Sequence, residues 1–252
     1  MTGLYPEPPH LTVALYCDIS EADVFARMGD LLVRNGCEPL GLVETVPWDR
    51  EFEYVSDLAE VIDSAHLDRA RFRRVVAGDD PARRPVRAGY TQRSTGTTVL
   101  EYLGAAPGDR HPVAVSVSAG ALGIPPQLWS RADRAAARKL ADRTRDLLAE
   151  AALECQAGYG GIGVELSLAS PARLGKDRRG LSTELFVGSP VLTRHPWLDR
   201  ELRDAYGGGV SEWAAGLFCA GWAPYRPDGT TIENPGEVVQ RCGTLLRRAV
   251  LT

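Results

Sequence analysis

The sequence predicts an α+β protein: antiparallel sheet with helices packed on one side, arranged as two βαβ-like halves. Three observations carry this. Short β-branched runs recur between turn residues. A strand–cap–helix–strand order appears near the start and returns about a hundred residues later. Between the two copies, residues 86–118 read as a meander. The expected division is 1–104 and 105–252, with one continuous domain as the other arrangement.

Each element follows from local chemistry. Residues 11–17 alternate as a strand. Ser20-Glu21-Ala22-Asp23 is a capping box with Asp in place of Glu, and Val24, Phe25, Met28, Leu31 and Leu32 then share one helical face. Asn35-Gly36 supplies a left-handed stop before a second strand at 40–46. A helix is expected over 57–65, then an arginine-rich segment to Val76. Strands 86–92 and 97–103 flank the turn Arg93-Ser94-Thr95-Gly96. After strand 112–118, Ser130 to Asp133 repeats the Ser20 cap, and the helix carries Ala136, Leu140, Leu147, Leu148, Ala151 and Ala152 inward. It is expected to stop at Gly158 and to feed strand 162–168. Strand 182–187, a helix over 197–206 and a last helix opened by Asn234-Pro235-Gly236-Glu237 complete the chain.

Composition narrows the function classes. With 252 residues, 44% apolar and 25% charged, the chain can bury a sizeable core. A formal charge of −4 argues against a general nucleic-acid binder. Arginine outweighs lysine so far (only Lys139 and Lys176 are lysines) that a GC-rich bacterial genome is the simplest source. Five cysteines form no metal-spaced pair, which predicts free thiols, buried everywhere except at Cys37. No apolar run approaches the length of a membrane span, and the first residues lack a signal-peptide pattern. The expectation is a cytoplasmic protein without membrane, metal or cofactor.

The candidate chemistry is sparse. The glycines of Gly158-Tyr159-Gly160-Gly161-Ile162-Gly163 follow a helix, whereas phosphate loops precede one, so they describe architecture. Ser116-Val117-Ser118-Ala119-Gly120 falls one glycine short of a nucleophile elbow, and the prolines behind it forbid the helix an elbow needs. The four histidines are scattered. Arg69, Arg73 and Arg74 would form one solvated helix flank. Alternation places Glu165 and Glu184 on the polar side of their strands, with Ser116 and Ser118 if those strands are neighbours. The tail is aromatic, including Trp197, Tyr206, Trp213, Phe218, Trp222 and Tyr225, with Gly207 to Gly209 between them; a hinged lid or binding epitope and plain core packing under a glycine-rich loop explain these residues equally.

The run leading into Ala157-Gly158-Tyr159-Gly160, with the later Pro196, Leu198 and Asp199, resembles bacterial immunity-type proteins associated with type VI secretion. That resemblance covers about a quarter of the chain and implies a non-catalytic binder that neutralises a cognate toxin. The leading expectation is therefore a protein-binding protein, with Tyr159, Glu165, Glu184, His195, Trp213 and Trp222 as binding residues. A homodimer is open as a further arrangement. The alternative is a small-molecule enzyme of secondary metabolism using Glu165 and Glu184 with His195 as acid/base groups.

Overall fold

The computed structural model describes residues 4–48, 62–176 and 181–251. Its ten strands form one antiparallel sheet: β1 (His10–Cys17), β2 (Glu38–Pro47), β3 (Asp63–His66), β4 (Arg83–Gln92), β5 (Gly96–Tyr102), β6 (Val113–Ser118), β7 (Ala157–Val164), β8 (Glu184–Gly188), β9 (Val210–Trp213) and β10 (Gly216–Cys219). The spatial order is β3-β2-β4-β5-β6-β1-β7-β8-β10-β9, so strands from both sides of residue 104 share one sheet. Both expected crossovers are present. β6 and β7 are each antiparallel to the β1 that lies between them, and are therefore parallel to each other. The strand pairings likewise make β1 parallel to β2, with β4, β5 and β6 in between.

Strand alternation divides the core. On β1, Leu11, Val13, Leu15 and Cys17 join α1 (Glu21–Arg34), α2 (Arg69–Val76) and α3 (Arg131–Glu154) in one cluster. Ala14 and Tyr16 point the other way, into a cluster with α4 (Pro171–Lys176), α5 (Ser189–Arg194), α6 (Pro196–Tyr206) and α7 (Pro235–Leu251). Helices thus cover both faces, three on one and four on the other, rather than one. The expectation of one side fails because the strands nearest the later helices are apolar on both faces, with Phe186 on one side of β8 and Leu185 and Val187 on the other.

Three local expectations shift. The helix expected over 57–65 lies outside the described residues as far as residue 61, and Asp63–His66 forms edge strand β3. The helix before the glycines ends at Glu154, and Gln156 (φ 53°), not Gly158, takes the left-handed position. The glycines therefore lie inside β7, which ends at Val164, so strand 162–168 is truncated. Glycine is required there by close approach: a Cβ on Gly160 would stand 2.6 Å from the Ala14 carbonyl oxygen. All five thiols are free and buried, Cys37 included.

The cap of α1 doubles as an electrostatic junction. Ser20 accepts from the Asp23 N–H as expected. Glu21 accepts from the His111 N–H at 2.6 Å, approaches His111 Nδ1 at 2.8 Å, and pairs with Arg84 at 2.7 Å. Burial opposes ionisation of Glu21, but the His111 hydrogen bonds and Arg84 outweigh it and hold its carboxyl below the ordinary value of 4.5. A depressed carboxyl stabilises the fold above pH 4.5, and that contribution disappears as pH falls through the depressed value. Glu21→Gln is therefore expected to be less stable at neutral pH, with a shallower loss of stability in acid. Denaturant titrations from pH 7 to pH 3 check this, and parallel acid limbs for the two proteins would refute it.

Candidate functional site

The end of the sheet where β1 and β8 begin and β6, β7 and β10 finish gathers most of the unusual surface. Beyond β10 the chain makes a closed loop from Gly221 to Ile232, its ends joined by the Ile232 N–H donating to the Gly221 carbonyl at 2.8 Å. This is an Ω-loop, a compact excursion with adjacent ends. Two buried charges of opposite sign hold it.

The first is Glu184, the opening residue of β8. Its side chain lies on the Phe186 face and is 2% exposed. Oε1 accepts from the Trp222 N–H at 2.9 Å and the Gly221 N–H at 3.3 Å, while Oε2 accepts from the Thr183 hydroxyl at 2.7 Å. The β10 ladder has just ended at Cys219 against Leu185, so the carboxylate takes over from the missing strand partner. Burial pushes its carboxyl above the ordinary range, against the pull of these donors.

The second is Arg226, whose guanidinium clasps Asp228 through Nε at 3.1 Å and Nη2 at 2.7 Å. Its Nη1 donates to the carbonyls of Tyr206 and Ala220. Gly207–Gly209 is a short 3-10 turn packed under this clasp, where a Cβ on Gly209 would sit 2.4 Å from Arg226 Nη1. Gly209 alone is a close fit; Gly207 and Gly208 are exposed, with open space where a side chain would stand.

A recess lies on either side of the loop. One is a cleft of about 500 Å³ between the ends of β7 and β8, lined by Glu165, Arg173, Ser182, Glu184, Trp222 and Tyr225 among others. The other is a groove of about 390 Å³ formed by Trp129, Arg134, Ala135 and Arg138 with Ala223, Pro224 and Gly229 of the loop. The rings of Trp129 and Trp222 stand 6.0 Å apart and link the two. Before Trp129, Ile124 to Leu128 runs exposed, with Leu128 71% and Ile124 42% accessible. Residues 112–130 contain no Asp, Glu, Lys or Arg, a signal that was open to sequence reading and that strand and turn assignment passed over.

The six residues singled out from sequence separate. Glu165, Glu184 and Trp222 meet at the cleft. Glu165 directly follows β7 at φ 53°, its side chain 57% exposed, with its N–H donating to the His10 carbonyl and Oε1 accepting the His10 N–H. Tyr159 is buried and does not line the cleft; it stacks on Tyr16 and donates its hydroxyl to the carbonyl of the cleft residue Ala169 at 2.6 Å. Trp213 stacks on Phe218 at 4.5 Å and covers the sheet near its edge. His195 joins α5 to α6, its ring 6.0 Å from Trp197, and does not line the cleft. Ser116 is buried against Thr12 rather than beside the carboxylates. Arg69, Arg73 and Arg74 are exposed, as a solvated flank would be.

The three acid/base candidates are therefore not brought together. Glu184 is engaged by donors on both oxygens, Glu165 is held by the backbone of β1, and the histidine of the acid/base trio is elsewhere. Among the described residues no group of three or more His, Cys, Asp or Glu could hold a metal ion, and no helix is long and apolar enough to cross a membrane.

No protein family and no curated protein matches the chain. Among solved structures, a type VI secretion system (T6SS) protein of Pseudomonas aeruginosa is a weak neighbour, with 10% identity and a TM-score of 0.44. The match covers 85% of this chain and 65% of that one, so the chain spans just under two thirds of that protein's length. A likeness of that size carries no argument about function. The residues on which the sequence resemblance rests, Ala157 to Gly160 and Pro196 to Asp199, fall in β7 and the first turn of α6.

Proposed function

We propose that the chain is a protein-binding protein whose docking face is this end of the sheet, centred on Leu128, Trp129 and the Ω-loop. The observation that supports the reading is the exposed, uncharged run Ile124 to Leu128 next to Trp129, whose groove also holds Pro224 and whose ring stands 6.0 Å from that of Trp222 in the neighbouring cleft. Protein interfaces have such a composition: charge-depleted at the centre, with aromatic anchors and a charged rim. Here the rim is Glu165, Arg134 and Arg138. The loop is also clamped at both ends, which reduces the ordering cost of binding. An immunity-type role against a toxin is the form of protein binding that the sequence resemblance suggests.

The test is a double variant, Leu128→Asp with Trp222→Ala, used as bait beside the unchanged protein in extracts of the native host. A partner that is retained by the unchanged protein should be lost from the variant. With both components purified, binding should weaken by about a hundredfold, as expected for removal of two interface anchors. Circular dichroism and the denaturation midpoint confirm that the fold survives. Equal retention of the partner by the two baits would defeat the proposal.

A further inference from the structure

The groove on the α3 side of the Ω-loop specifies what its occupant carries, an inference that rests on the docking reading above. Arg134 and Arg138 are one helical turn apart on α3, both exposed, and both line the groove with Trp129 and Pro224. Arg134 Nη1 donates to the Trp129 carbonyl at 3.0 Å, which fixes that guanidinium at the mouth. Among the described residues neither arginine is in an ion pair. The nearby acids are engaged elsewhere in the main: Asp133 caps α3 through Ser130 while also attracted by Arg134, Asp142 and Asp146 pair with Arg145, and Asp228 is clasped by Arg226. The groove is thus locally positive in a chain whose formal charge is −4. Its walls between the two charges are apolar.

We infer that the groove binds an acidic segment of the protein partner, with one bulky apolar side chain against Trp129 and Pro224 and carboxylates on Arg134 and Arg138. The spacing of the arginines sets the pattern. Residues one turn apart on a helix are separated by about 6 Å, close to the i, i+2 distance of about 6.7 Å in an extended peptide. An extended segment with acids two residues apart and an aromatic or aliphatic neighbour satisfies both guanidiniums at once. Arginine suits this role because its planar fork donates two parallel hydrogen bonds to a carboxylate.

The experiment is selection of a random phage-displayed peptide library on the full chain, followed by fluorescence anisotropy with the enriched peptides. Targets are the unchanged protein, Arg134→Glu with Arg138→Glu, and Leu128→Asp with Trp222→Ala. A single-stranded oligothymidylate serves as competitor. The expected result is enrichment of acidic peptides bearing a large apolar residue, bound about tenfold or more weakly by the charge-reversed protein. Peptides lost with the Leu128 and Trp222 changes, but free of acidic preference and indifferent to charge reversal, would overturn this inference and leave the docking face standing. Peptides indifferent to both double variants would remove both. Displacement of the acidic peptides by the oligonucleotide, with binding at least as tight, would also overturn it by making nucleic acid the better occupant.

Discussion

Glu184→Ala is expected to lower the free energy of unfolding by about 3 kcal/mol, because it strands buried donors and removes packed volume together. The amides of Gly221 and Trp222 and the hydroxyl of Thr183 all lose their acceptor. The loss should be concentrated in the loop. Hydrogen exchange at Gly221 and Trp222 is expected to accelerate far more than exchange at the centre of β1. Glu184→Gln keeps the volume and one acceptor, so a smaller loss of about 1 kcal/mol is expected. Its pH dependence has a definite sign. A carboxyl held above its unfolded value of 4.5 adds stability at low pH, and loses that contribution as pH rises through the raised value. The deficit of Glu184→Gln relative to the unchanged protein should therefore widen from pH 7 towards pH 5. Denaturant titration at the two values measures it; a deficit that narrows would show that the carboxylate is favoured in the fold, against the sign stated above.

Gly188→Ala should be more damaging still, at about 4 kcal/mol or a failure to accumulate as soluble protein. A Cβ at that position would lie 2.1 Å from the Ala157 carbonyl oxygen and 3.1 Å from that of Gly158. Both atoms are backbone in β7, so relief requires the β7–β8 pairing to open. Gly158→Ala is the matched comparison. Its nearest atom would be the Tyr16 carbonyl oxygen at 3.8 Å, ordinary contact, and its backbone is not left-handed. A change within about 1 kcal/mol of neutral is expected there. Similar thermal midpoints for the two alanine variants would show that close approach is not what keeps glycine at Gly188.

What sequence could reveal was set by how local the cause is. The caps at Ser20 and Ser130, the meander and the apolar face of α1 depend on residues within a few positions of one another, and these emerged as expected. Facing was another matter. Whether α6 covers the same side as α3 depends on the strand order, which no spacing in the chain encodes. Glu184 and Glu165 illustrate the limit. Both read as polar positions of alternating strands, yet one is sealed beneath a loop thirty-seven residues downstream of it and the other is exposed at a strand end. Burial of Glu184 depends on amides that belong to that loop, and no pattern around Glu184 announces them. The uncharged stretch before Ser130 was visible, but its exposure was not, since apolar runs usually go inside.

The position of β1 has a consequence for how the chain folds. Its two neighbours, β6 and β7, arrive roughly a hundred and a hundred and fifty residues later. Until β6 emerges β1 has two open edges, and until β7 follows it keeps one, a state that favours pairing with other chains. Long-range closure of this kind is slow. Refolding should therefore depend strongly on protein concentration. An emerging chain stalled before residue 157 should be held by chaperones, with β1 waiting for the strand that completes its second edge.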